Sequence, residues 1–218
     1  MSNLATLLSS ENEHWLTQPD FLRLVVAVLG SIDIDPCTNR ASIVPANHHC
    51  YAGEQDGLTI PWVGRLFCNP PYGNKIPLWT TAMRLRAGIG GLRSCELIGL
   101  IPARVDTEWC QRDVFAAADA WVFWSGRLTF WQPGDPSAFD KSGKRLRPSV
   151  RADDEVGPCL DRHGNPMPAP FPSLVPYYGP DPVGFGRVFG RYGPVTIPRG
   201  PRAGVYTRPS YDKLRSAA

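Results

Sequence analysis

The chain has 218 residues, a formal net charge of +3 and 43% hydrophobic residues, enough for one domain with its own core. No stretch approaches the roughly 18 consecutive apolar residues that a membrane span needs, so a soluble protein is expected. Residues 1–140 hold 10 Lys and Arg against 14 Asp and Glu, whereas residues 141–218 hold 13 against 6, which places the basic character at the C-terminal end.

Residues 1–13 read as a leader. They carry Glu11 and Glu13 but no basic start before a long apolar run, so no secretory signal is expected and the cytoplasm is the expected compartment. An amphipathic helix is predicted over Asp20–Leu29, with Pro19 in its first turn and Gly30 as its stop. Ser31–Asp35 alternates as a strand does and is expected to end at Pro36. A loop follows, then a strand over Arg65–Cys68, which runs into Asn69-Pro70-Pro71-Tyr72-Gly73 and a helix from Pro77 to Arg86.

Glu96–Ile101 reads as a buried strand, Thr107–Ala118 as a helix and Ala120–Trp124 as a further strand. This alternation predicts an α/β fold with a mostly parallel sheet. Residues 14–131 form the expected α/β core. Residues 132–170, rich in Pro, Gly and charge, are expected to be a surface insertion outside the core, and 171–218 to supply a last strand and a basic, aromatic tail. The six cysteines show no C-x-x-C pair and fit reduced thiols. His48, His49 and Cys50 with Cys37 match no common zinc spacing, and no metal is expected.

Asn69-Pro70-Pro71-Tyr72 is the strongest motif, because a chance match in a chain of this length has odds of about one in a thousand. It lies between a strand and a helix, where open α/β sheets place ligands. An adenine amino nitrogen is a poor nucleophile because its lone pair is delocalised into the ring. The Asn69 side-chain oxygen and the Pro70 carbonyl could each accept one of its N–H groups and stabilise the positive charge that develops as it attacks a sulfonium methyl. Pro70 and Pro71 stiffen the acceptors, and Tyr72 offers a face on which a flipped base could stack.

In this order the motifs resemble the phage-type, Dam-like DNA adenine-N6 methyltransferases. The resemblance rests on His14-Trp15-Leu16-Thr17-Gln18-Pro19, Ile32-Asp33-Ile34-Asp35-Pro36-Cys37, Asp56-Gly57-Leu58 with Pro61-Trp62, Asn69–Gly73, Ile101–Arg104 and Gly126–Phe130. It implies a Rossmann-like methyltransferase fold with residues 14–131 as its cofactor-binding and catalytic core, S-adenosylmethionine as cofactor and double-stranded DNA as partner. It implies catalytic roles for Asn69, Pro70, Pro71 and Tyr72, and cofactor contacts at Thr17, Pro19, Asp33, Asp35, Pro36, Asp56, Gly57 and Leu58. Of these, Thr17 and Pro19 would lie at the methionine end, Asp35-Pro36 near its amino group, and Asp56 at the adenine amine with Leu58 beside the ring. No Gly-x-Gly loop follows Asp35, and no acid for the ribose hydroxyls stands out between Asn39 and Gln55.

Arg104 and Arg127, within the shared motifs, and Arg145 and Arg147, within the basic insertion, are the expected DNA contacts. The C-terminal aromatics Tyr177, Tyr178, Phe185, Phe189, Tyr192 and Tyr206 read either as stacking surfaces or as core. An Asn-Pro-Pro-Tyr clamp also suits RNA adenine, cytosine N4 or a glutamine amide, and a DNA-binding module without turnover is the other class of reading.

Overall fold

The computed structural model describes residues 16–88, 91–133, 156–159 and 163–198. Helix α1 (Pro19–Leu29) leads into β1 (Ile32–Thr38), β2 (Ala46–Tyr51) and β3 (Gly64–Cys68), then α2 (Ile76–Ala87), β4 (Cys95–Gly99) and β5 (Ile101–Pro102). A π-helical segment (Cys110–Phe115), β6 (Ala120–Phe123), β7 (Trp131–Pro133), β8 (Val156–Pro158), β9 (Ser173–Tyr178), α3 (Pro182–Phe189) and β10 (Val195–Thr196) complete the order.

The central sheet runs β10-β6-β9-β4-β3-β1-β2, with β5 also paired to β9. β2, β1, β3 and β4 are mutually parallel, and β9 runs antiparallel between β4 and β6. The fold is therefore mixed α/β with a mostly parallel sheet. All six residues of β9 are buried, as an interior strand requires.

Each face of the sheet carries its own core. Phe21, Val25, Phe67, Tyr177, Phe185 and Phe189 pack α1 and α3 on one face. Trp62, Trp79, Met83, Val114 and Tyr178 pack α2 and the π-helical segment on the other. The fully buried Asp113 carboxylate latches that second layer, accepting from Thr80 (2.9 Å), Arg84 (2.8 Å) and Arg112 (2.7 Å). A buried carboxylate is tolerated only when paired in this way.

Several expectations change. β1 passes through Pro36 rather than ending there, because the pairing register shifts between Asp35 and Thr38 and frees the ladder from a donor at that point. The helix expected over Thr107–Ala118 is a short π-helical segment. β2 falls in the expected loop, and α3 and β10 in the expected tail.

The described part of the expected insertion is not all surface. β7 and β8 pair, and Cys159 and Ala169 are buried in the first core. Tyr177, Tyr178, Phe185 and Phe189 are fully buried, so they build the core and offer no face to a base. Arg145, Arg147 and Tyr206 lie outside the described residues.

Candidate active site

After β1 the chain turns to β2 on one side, and it later crosses to β3 on the other. The carboxyl ends of β1 and β3 therefore flank a topological switch point, the place where open α/β sheets bind ligands. β1 delivers Asp35, Pro36 and Cys37 to this end, and β3 delivers Cys68 and Asn69. The two ends touch, since the Cys37 and Cys68 sulfurs are 3.4 Å apart.

Asn69 is half-buried at the carboxyl end of β3, and its side-chain Nδ2 donates to the Thr17 hydroxyl at 3.0 Å. No described residue meets its Oδ1. Thr17 is buried, and an antiparallel bridge holds it there: Leu16 N–H donates to the Trp131 carbonyl (2.7 Å), and Trp131 N–H returns to Leu16 (2.9 Å). Pro19 opens α1 in its first turn and so fixes where the Thr17 segment enters the helix.

Pro70 is buried and Pro71 exposed. The half-buried Tyr72 ring meets Phe171 (5.0 Å, 75°) and Phe130 (6.0 Å, 65°) in tilted, edge-type contacts, and its hydroxyl donates to the Leu100 carbonyl at 3.2 Å. Burial pushes that hydroxyl well above the usual tyrosine range, so it stays protonated and keeps donating.

Asp35 is 3% exposed. Burial pushes its carboxyl up to about 6, against the opposing pull of the Cys37 N–H (3.3 Å), the Thr38 and Ser42 hydroxyls and the nearby His49. A buried carboxyl held this high gains from a cation placed beside it. Asp33 has different work. It sits near the amino end of β1, where it accepts from the Arg65 N–H (2.8 Å) and Nε (3.1 Å) and from Asn47 (3.4 Å). The guanidinium holds its carboxyl below the usual range. It ties β1 to β3 and lies away from the carboxyl ends of the two strands.

The Asp56-Gly57-Leu58 loop docks on β1. A β-carbon on Gly57 would fall 1.7 Å from the Pro36 carbonyl oxygen, so this contact requires glycine. Trp62 Nε1 donates to the Gly57 carbonyl (2.8 Å), while Arg86 donates to the Leu58 (2.5 Å) and Ile60 (3.0 Å) carbonyls and lies over the Trp62 ring. Asp56 is exposed; its Oδ1 caps the Leu58 N–H at 2.9 Å, and no described residue meets its other oxygen. Trp62 was visible as part of a motif, but Arg86 carried no signal in the sequence.

Glu54 is a residue the sequence reading missed. It stands three positions beyond β2, on the same rim as Asp56, and its carboxylate is engaged by Arg40 through Nε (2.7 Å) and a terminal nitrogen. The usual acid after the second strand of a dinucleotide fold is its only sequence cue.

Arg104 follows β5, and Arg127 lies four residues beyond β6, both on the carboxyl-end rim and exposed, and neither guanidinium has a partner among the described residues. Lys75, immediately before α2, is a third exposed cation on this rim. The structure therefore brings Thr17, Asp35, Pro36, Asp56, Gly57, Leu58 and Asn69–Tyr72 to one end of the sheet and leaves Asp33 out. Compared with known proteins, the chain matches no family model, no curated protein and no solved structure. No helix among the described residues is long and apolar enough to cross a membrane.

Proposed function

We propose that the chain is an S-adenosylmethionine-dependent methyltransferase acting on the exocyclic amine of adenine in DNA. The observation that carries this reading is the Asn69 side-chain oxygen, which has no described partner and stands at the switch point beside the Asp35-Pro36 end of β1.

The donor set suits such a cofactor. The buried Asp35 carboxyl favours an ammonium group, the Asp56 oxygen that meets no described residue can accept from an adenine amine, and the Gly57 contact leaves Leu58 half-buried beside it. When bound, the cofactor supplies an electrophilic methyl group on a sulfonium. The protein's part is to hold the amine. Asn69 Oδ1 and the Pro70 carbonyl each accept one N–H, and both interactions strengthen as positive charge grows on nitrogen. Tyr72, fixed through its hydroxyl and two aromatic neighbours, provides a rigid face for the extruded ring. Arg104, Arg127 and Lys75 provide charges for phosphates around the mouth.

The test is methyl transfer from labelled S-adenosylmethionine to DNA, RNA and protein acceptors offered in parallel. Label on N6 of adenine in DNA is expected. Label only on RNA or protein changes the acceptor, and no label on any acceptor removes the enzyme reading.

A further inference from the structure

We propose that Thr17 is a positioning residue that sets which way round the Asn69 amide faces. The proposal rests on the reading above, in which Asn69 Oδ1 accepts from the substrate amine.

A side-chain amide presents an acceptor on one side and two donors on the other. Rotated by half a turn, Asn69 would show an NH₂ group to an amine that itself needs an acceptor, and the clamp would repel its substrate. The backbone at Asn69 has no means of preventing this rotation, because both forms fill the same volume. Discrimination must come from the group on the far side of the amide, and that group is the Thr17 hydroxyl, 3.0 Å from Nδ2.

Two features make this bond suited to the task. Thr17 is buried, with 4% of its surface exposed, so water cannot readily replace it. Its backbone is held from both sides, by the reciprocal Leu16–Trp131 hydrogen bonds and by the start of α1 at Pro19. The bond also links residues 52 positions apart. A hydroxyl can donate as well as accept, so Thr17 holds the amide most firmly when its own proton is taken by another acceptor in the crevice. An anionic ligand group there would leave only the hydroxyl lone pair for Asn69 and would commit the amide to its working orientation.

The experiment uses the full chain with Thr17→Val, which keeps the shape but removes the hydroxyl, and Thr17→Ser, which restores it. The Asn69 side-chain amide is assigned in a ¹⁵N-labelled sample by its loss in Asn69→Ala. Thr17→Val is expected to shift that resonance and speed its hydrogen exchange, and Thr17→Ser to return it towards wild type. An unmoved resonance in Thr17→Val overturns the proposal.

Single-turnover methyl transfer gives the second readout. Thr17→Val is expected to slow transfer about tenfold at saturating cofactor, with cofactor affinity within about threefold of wild type and recovery in Thr17→Ser. If Thr17→Val loses cofactor affinity but transfers at the full rate once saturated, Thr17 is a cofactor contact and the proposal fails. If wild type transfers no methyl group, the function reading falls, and the amide resonance still decides whether Thr17 holds Asn69.

Discussion

Gly57 lies so close to Pro36 that a β-carbon at residue 57 would be 1.7 Å from the Pro36 carbonyl oxygen and 2.7 Å from its carbon. Both obstructing atoms are backbone, so no side-chain rotation relieves the clash. Gly57→Ala must lift the 56–62 loop from β1, at a cost of about 1–3 kcal/mol. Urea unfolding should show that loss, and calorimetry should show weakened S-adenosylmethionine binding as Asp56 moves away. Wild-type stability and affinity together in Gly57→Ala would mean that the loop does not dock this way.

Asp35 makes stability depend on pH in a defined direction. Its carboxyl is raised from 3.8 to about 6, so the folded state holds the proton more tightly than the unfolded one. The stability this contributes is complete below about pH 4 and is lost as pH rises through about 6. Asp35→Asn removes the ionisation, so its stability relative to wild type should improve between pH 4.5 and pH 7.5. Urea midpoints at the two pH values check this, and an unchanged difference would contradict it. A bound ammonium favours the ionised carboxylate, so cofactor affinity of the wild type should rise with pH through the same window.

Asp33 should behave in the opposite manner. Arg65 holds its carboxyl below the usual value, so its contribution is present above about pH 4 and lost as pH falls through the lowered folded-state value. Asp33→Asn should lower stability slightly at neutral pH and leave cofactor affinity unchanged. A selective loss of cofactor binding would return Asp33 to the crevice.

What the sequence made legible follows from how locally each feature is encoded. α1 and β3 declare themselves by apolar patterning, and Asn69–Tyr72 by its rarity between a strand and a helix. β2 hides because it is an edge strand whose central residues, Asn47 and His48, are polar and exposed and show no apolar face. α3 hides behind Gly184 and Gly186, residues that disfavour helices; here the Asp181 cap and the burial of Phe185 and Phe189 decide. Asp33 and Asp35 share a strand face by alternation, and only the position of Arg65 separates the structural acid from the crevice acid. The Thr17–Asn69 bond joins segments 52 residues apart, which no local pattern encodes.

Arg104 and Arg127 should act on DNA affinity through charge alone. Each guanidinium is exposed without a described partner, so replacement by Ala should leave stability and cofactor binding near wild type. If each contacts one phosphate, each loss lowers the slope of log affinity against log salt by about 0.9. Affinity titrations on duplex DNA across a range of salt read this directly, and an unchanged slope in the double variant would take DNA away from this rim.

On the proposed reading Asn69 and Tyr72 should fail in different ways, because one would act on the reacting nitrogen and the other would hold the ring. Asn69→Ala removes an acceptor whose interaction grows in the transition state, so single-turnover transfer should slow by about a hundredfold or more while cofactor and DNA binding survive. Tyr72→Phe keeps the ring against Phe130 and Phe171 and loses only the bond to the Leu100 carbonyl, so activity should be largely retained with a stability loss of about 1 kcal/mol. Tyr72→Ala removes a stacking face worth about 1–3 kcal/mol per base, but it also removes packing from both cores that this ring touches. Activity alone would confuse the two losses. Fluorescence of 2-aminopurine at the target position separates them, because poor flipping in a variant that still unfolds cooperatively assigns the defect to base capture. If Asn69→Ala methylates DNA at the wild-type rate, the tetrapeptide is a turn between β3 and α2, and the Asn69 amide oxygen has no part in the chemistry.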